Sequence, residues 1–238
     1  MAERLFFSVV VPAHNEERYL GETLACLAAL DYPKDRYEVL VVENGSTDAT
    51  LAVARSHESA VIRALSYPCR GVSAARNRGV EAASKRGDWV LFLDADTLAA
   101  PSLLDELDRL IRGRHPDAAV GLFRVLPRSR RLLHRVLFAW GNAGRAVMHS
   151  WPYTAFAIRR DIFAAGVRSD EQRQVAEDVA LVHAAQRHGP TFYMWTRSVS
   201  TSTRRFDQVG WLRMIALWIR IMPLSDRAQR RFSYDVVR

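Results

Sequence analysis

Two aspartates one residue apart, Asp94 and Asp96, close an apolar run from Trp89 to Leu93. Carboxylate oxygens are hard ligands suited to Mg²⁺ or Mn²⁺. Mg²⁺ commonly takes one or two carboxylates and completes its shell with water and phosphate oxygens. A departing diphosphate needs such neutralisation as its charge develops. With 15 aspartates in the chain, about one D-x-D triplet is expected by chance, and a strand-end turn leading into a helix cap accounts for it equally. Its position in the chain, at the mouth of a buried strand, separates the two readings.

Three other clusters carry comparable chemistry. Glu43-Asn44-Gly45-Ser46-Thr47-Asp48 gathers hydrogen-bond acceptors at Glu43 and Asn44, which suit a base edge or a ribose; a β-α turn explains Gly45 and Asp48. Arg70 to Gly79 is a small-residue loop running into a helix. Its backbone can approach a ligand closely and its helix N-terminus favours an anion, with Arg76 or Arg70 in reach of a phosphate or ribose. An amphipathic helix with exposed arginines is the alternative. Glu177-Asp178 opens a further helix, where acids suit the helix dipole; Asp178 is also a candidate general base toward a hydroxyl. The seven histidines show no ligand-like pairing, and neither a G-x-S-x-G turn nor a G-x-x-x-x-G-K-[ST] loop is present.

The elements that must position these residues follow from the apolar pattern. Strands are predicted at 6–11, 37–42, 61–65 and 89–93, and helices at 16–30, 47–56, 73–85 and 101–112. This β-α alternation argues for an α/β fold with a mostly parallel sheet covered by helices. Ligands of such sheets bind beyond the carboxyl ends of the strands, where Pro12–Glu16, Glu43–Asp48 and Asp94–Thr97 all fall. The second half is less regular, with strands predicted at 118–125, 153–158 and 191–195 and helices at 132–147, 177–188 and 211–222.

Composition narrows the class. A chain of 238 residues that is 49% hydrophobic can bury a full core. Its formal net charge of +8, nearly all of it from arginine, suits nucleic acid, an anionic membrane or a phosphorylated substrate. No helix-turn-helix, zinc or aromatic RNA motif supports nucleic acid. Cys26 reads as a small buried hydrophobe, and Cys26 and Cys69 lack metal-type spacing, which favours a reducing compartment. The N-terminus lacks the apolar core of a signal peptide, and no run of about 20 apolar residues is present. Trp211, Ile215, Trp218 and Met222 share one helical face that either packs on the domain or lies in a membrane interface.

Taken in order, the motifs resemble those of family 2 glycosyltransferases with the GT-A fold, a Rossmann-like, mostly parallel central sheet with a smaller acceptor-side subregion. Pro12-Ala13-His14-Asn15-Glu16 resembles the P-x-x-N-E opening and Glu43 to Asp48 resembles D-[DN]-G-S-x-D. Ala75-Arg76-Asn77-Arg78-Gly79 resembles A-R-N-x-G, Asp94-Ala95-Asp96 the D-x-D, and Glu177-Asp178 the acceptor-side E-D. The resemblance is strong over residues 7–112 and weaker over 150–190. It implies one domain with a nucleotide-sugar half (1–115), an acceptor half (116–205) and a helical tail (206–238).

It further implies an inverting, metal-dependent transfer from a nucleoside-diphosphate sugar, a UDP-sugar first, to a saccharide, lipid-linked or small-molecule acceptor. Pro12, Ala13, Asn15, Glu16, Glu43 and Asn44 would hold the nucleoside, with Arg70 and Arg76 near ribose or phosphate. Asp96 would bind Mg²⁺ or Mn²⁺, with Asp94 and Ala95 beside it at the ribose or a bound water, and Asp178 would be the base. Thr203-Arg204-Arg205 resembles a basic loop that closes on the diphosphate, with Glu177, Arg204 and Arg205 on that side. Two departures stand out: Glu43 replaces the usual aspartate, and Trp151 to Phe156 lacks the usual glycines, leaving Trp151 or Tyr153 to stack on an acceptor. The implied setting is cytoplasmic, with peripheral contact to an anionic inner membrane face and a role in cell-envelope polysaccharide synthesis. A nucleotidyltransferase or a retaining glycosyltransferase is the alternative.

Overall fold

The computed structural model describes residues 3–68, 71–149, 151–173, 175–214 and 216. Cys69 and Arg70, and Ile215 and 217–222 of the helix predicted at 211–222, lie outside them.

Four strands, β1 (Phe7–Ala13), β2 (Tyr37–Glu43), β3 (Ile62–Ser66) and β4 (Trp89–Leu93), pair in parallel in the order β3-β2-β1-β4. Helices α1 (Leu20–Ala28), α2 (Thr50–Ser56) and α3 (Val72–Ala82) connect them. The near-continuous apolar runs of β1, β2 and β4 follow from burial of both sheet faces. Phe7, Val9 and Val11 pack with Leu20, Leu24 and Leu27 of α1 and with Leu103, Leu104 and Leu107 of α4 (Leu103–Arg114). Val10, Leu40, Val42, Val90 and Phe92 face the other way, against Ala75 and Val80 of α3.

The sheet continues with β8 (Ala155–Arg159), β6 (Val120–Phe123) and β9 (Thr191–Met194), giving seven strands in the order β3-β2-β1-β4-β8-β6-β9. β8 runs antiparallel to both β4 and β6, and β6 pairs in parallel with β9. α6 (Arg160–Ala164) and α7 (Glu177–Ala185) cover the face shared with α3. A second, three-stranded sheet joins β5 (Thr97–Ala99), β10 (Val199–Thr201) and β7 (Leu126–Pro127), with β10 in the centre. α5 (Leu132–Met148) follows β7, and α8 (Arg204–Val209) follows β10.

The structure refines several sequence expectations. Helix α1 begins at Leu20 rather than Glu16. The preceding loop is held in place by backbone donation from Asn15 to Ser46 Oγ and from Glu16 to Thr50 Oγ1, with Asn15 left-handed at φ 55°. β5, β10, α6 and α8 were not anticipated; they are 3–6 residues long, too short to show a period. Cys26 is half-buried rather than fully buried. Trp211 packs inward: its ring stacks on Phe206 at 3.9 Å and lies beside Phe138 and His134, which removes it from a membrane-facing stripe.

Candidate active site

Register sets the cleft. β1 and β2 pair through to Ala13 opposite Glu43, so the first two motifs leave the sheet side by side. The loops then lock together. Asn15 Oδ1 accepts from the Thr47 backbone at 2.9 Å, His14 Nδ1 lies 2.9 Å from the Asn44 carbonyl, and the Asn44 N–H donates to the Ala13 carbonyl. Glu43 and Asn44 are buried. The Glu43 carboxylate accepts from the Ser46 N–H and from Ser66 Oγ, so it braces its own turn. A glutamate reaches across that turn to β3 with its extra methylene, a local reason for its presence where aspartate is usual in the resemblance.

Asp94 and Asp96 stand on the turn after β4. Asp94 N–H donates to the Thr154 carbonyl at 2.9 Å, which ties the segment before β8 to the turn. The Ala95 carbonyl accepts from the buried Thr23 hydroxyl at 2.7 Å, anchoring the turn to α1.

Two arginines gather the acids. Arg76, on α3, is buried to 5% side-chain exposure; Nη1 lies 3.2 Å from Glu177 Oε1 and Nη2 lies 3.9 Å from Asp94 Oδ1, with the guanidinium over the Phe156 ring at 5.4 Å. Of the two readings the sequence left open for Arg76, the exposed arginine on an amphipathic helix does not hold at this position. Arg204, at the start of α8, pairs with Glu16 and places Nε 3.1 Å from Asp96 Oδ2. Its guanidinium sits 4.4 Å over the Tyr19 ring. Arg76 thus joins the third, fourth and fifth motifs, and Arg204 joins the first to the fourth.

The acids outnumber the cations that reach them. Asp94 lines the cleft floor with 40% of its side chain exposed. Protein on its other sides desolvates it, and, though Arg76 opposes the shift, burial with Asp96 and Asp178 nearby pushes its carboxyl up to about 7. Burial, then the neighbouring Glu177 charge, pushes Asp178 up to about 7 as well, against the pull of Arg76. Burial also raises Glu16, whose Oε2 is buried without a hydrogen-bond partner. Ala176, immediately before the acid pair, is held left-handed at φ 53°, a conformation unfavourable for alanine by about 1 kcal/mol.

Two neighbouring carboxylates, with the proton affinity of Asp94 raised and the Glu16 Oε2 oxygen orphaned close by, fit a hard divalent cation. Asp94 and Asp96 are the residues that would hold it. Among the described residues no three His, Cys, Asp or Glu side chains converge to enclose a metal, so water and phosphate oxygens would supply the remaining ligands.

On the acceptor side, Tyr153 packs edge-on to Phe138 at 5.8 Å beneath Arg145, and burial raises its phenol, with Arg205, Asp96 and Asp94 within electrostatic reach. Trp151 is half-buried and Arg205 exposed. Tyr19 and Thr201, whose hydroxyl lies 3.4 Å from Asp96 Oδ1, were missed by the sequence reading. Tyr19 lies three residues after Glu16, one helical turn on, which was the available signal. The motif glycine Gly79 serves packing: a Cβ there would sit 2.3 Å from Val10 Cγ1.

A doubly covered, mostly parallel sheet that gathers acids and buried arginines at its carboxyl edge has the GT-A architecture. The model of "Glycosyl transferase family 2" matches residues 8–169, and the chain belongs to that family. It is similar to the probable glycosyltransferase YdaM of Bacillus subtilis, at 29% identity over 230 residues, covering 90% of this chain and 54% of that protein. The chain therefore spans about half the length of that curated relative. Among solved structures, Staphylococcus aureus TarS in complex with UDP-GlcNAc superposes with a TM-score of 0.69 at 21% identity, covering 94% of this chain and 69% of that one. The mannosyltransferase PcManGT of Pyrobaculum calidifontis, in complex with GDP-Man and Mn²⁺, superposes with a TM-score of 0.66 at 20% identity, covering 92% of this chain and 65% of that one.

Proposed function

We propose that the protein transfers a sugar from a nucleoside-diphosphate sugar to an acceptor hydroxyl, by direct displacement with inversion and with Asp178 as the base. The observation that carries this reading is the Arg76 bridge, which holds Asp94 at the donor side and Glu177, next to Asp178, at the acceptor side of one cleft. The loops of Pro12, Ala13, Asn15, Glu43 and Asn44 form the nucleoside side, and Trp151 and Tyr153 the acceptor side.

The acceptor oxygen attacks the anomeric carbon as the bond to the diphosphate oxygen breaks. Its proton passes to the Asp178 carboxylate, and the bonding pair leaves on the nucleoside diphosphate. A carboxyl raised to about 7 is a better-matched base near neutral pH than an ordinary aspartate. Mg²⁺ or Mn²⁺ at Asp96, with Asp94 beside it, would neutralise the departing diphosphate. Arg204 and Arg205 lie on the strap that would face the same phosphates. The sheet's partners in solved structures hold UDP-GlcNAc in one case and GDP-Man with Mn²⁺ in another. The acceptors in range are saccharides and lipid-linked or small-molecule hydroxyls.

A thermal-shift screen of UDP-, GDP- and dTDP-sugars with and without Mn²⁺ tests the reading. A ligand that binds only the folded state at 100 times its Kd stabilises it by about 2.7 kcal/mol, so one donor class should raise Tm in a metal-dependent way. Asp96→Ala should remove that dependence. No shift with any donor, or metal-dependent UDP binding retained in Asp96→Ala, would sink the assignment.

A further inference from the structure

Helix α5 is built inside out. Surface helices of globular domains turn their apolar stripe inward and their polar face to water. In α5 the residues turned inward are His134, Phe138 and Asn142, all buried, with Arg145 capping the Tyr153 ring. The outward face carries Leu132, Leu133, Val136, Trp140 and Val147, exposed by 73%, 56%, 51%, 82% and 81%. These residues fall within about one third of the helix circumference and run for about 22 Å along it. Single exposed apolar residues are ordinary, but a contiguous stripe of this size marks an interaction surface.

Charge selects the partner. From Ala118 to Arg160 the chain contains eight arginines and no aspartate or glutamate. Arg130, Arg131 and Arg135 are exposed at the N-terminal end of α5. An apolar stripe with an indole near its middle and guanidinium groups at its flank matches a bilayer interface: acyl chains take the stripe, the indole sits at headgroup level, and the arginines meet anionic phosphates.

We infer that the outward face of α5 is a docking surface for an anionic lipid bilayer. α5 reaches the candidate site directly, since Phe138 and Arg145 both pack on Tyr153. A chain docked through this face holds the acceptor side of its cleft next to the membrane. The inference goes beyond the donor reading and stands on different residues.

Vesicle flotation of the 238-residue chain tests it, with vesicles of phosphatidylcholine alone and of phosphatidylcholine mixed with phosphatidylglycerol. The expected result is binding to the anionic vesicles, weaker binding to the neutral ones, and a roughly tenfold or greater loss in Trp140→Glu and in Val136→Glu combined with Val147→Glu. These side chains are exposed, so thermal melting and nucleotide-induced thermal shifts should match the parent protein. That separates failure here from failure of the donor reading. Absence of vesicle binding by the parent chain, or binding unchanged in both variants, overturns the inference. So does a concentration-dependent dimer in analytical ultracentrifugation that Trp140→Glu dissolves without any vesicle binding, because a second copy would then be the occupant.

Discussion

Arg204 Nε lies 3.1 Å from Asp96 Oδ2, and the same guanidinium pairs with Glu16, although the three residues are spread over nearly 190 positions of the chain. Arg204 thus occupies the charge-neutralising position on the carboxylate proposed to bind a cation. Any divalent ion at Asp96 must compete with this ion pair, and an incoming diphosphate offers Arg204 a second anionic partner. Arg204→Ala is expected to raise the affinity of Mn²⁺ for the nucleotide-free protein several-fold, while weakening nucleoside-diphosphate binding about tenfold, roughly 1.4 kcal/mol. Isothermal titration of Mn²⁺, then of UDP or GDP with Mn²⁺ present, reads both. Unchanged Mn²⁺ affinity would mean that the arginine does not guard Asp96.

As the proposed base, Asp178 would couple activity to stability. Its carboxyl is raised in the folded state from 3.8 to about 7, chiefly by burial and then by Glu177. The stability linked to its protonation is fully present below the unfolded value and is lost as pH rises through about 7. Asp178→Asn does not titrate and escapes that loss. The variant should be more stable than the parent at pH 8, with the difference shrinking as pH falls and vanishing near pH 4. It should retain donor-induced thermal shifts and lose transfer. Near-normal turnover would remove Asp178 as the base.

Arg76 opposes the upward shift of both Asp94 and Asp178. Arg76→Gln leaves the acids with less positive charge, so their proton affinity rises further. The acidic limb of the kcat/KM profile, set by the base that must be unprotonated, should move upward by about one pH unit, roughly 1.4 kcal/mol. An unshifted limb with lower amplitude would assign Arg76 to substrate contact alone.

Gly79→Ala tests the packing reading of the third motif. The added methyl would meet Val10 Cγ1 at 2.3 Å, between α3 and the central strand β1. The expected destabilisation is about 1–3 kcal/mol, seen as a lower urea midpoint with an unchanged slope. A neutral result would leave the glycine without a packing reason.

The first half of the chain was legible because its elements are long and locally encoded. β1, β2 and β4 are buried on both faces, so their apolar runs announce themselves, and the polar residues after each run mark the carboxyl edge. The positions of Glu16, Glu43, Asp94 and Asp96 on one edge therefore followed from the β-α alternation alone. The family match reaches further, over residues 8–169.

Tertiary structure decided what those residues touch. β10 is three residues long and carries no period, yet its pairing with β5 and the donation from Ser202 N–H to the Asp96 carbonyl bring Arg204 onto Asp96. The sequence left Arg76 open between a surface residue and a ligand contact; the approach of α7 and β8 to α3 buries it between Glu177 and Phe156. The helix over 132–147 was predicted, but not which of its faces turns outward. Periodicity shows that a helix has two faces; which one meets the core depends on the partners that fold against it, and here His134, Phe138 and Asn142 were drawn inward. Local sequence encodes where an element starts and how it is striped, whereas the pairing of charges a hundred residues apart and the outward turn of a stripe exist only once the chain has closed on itself.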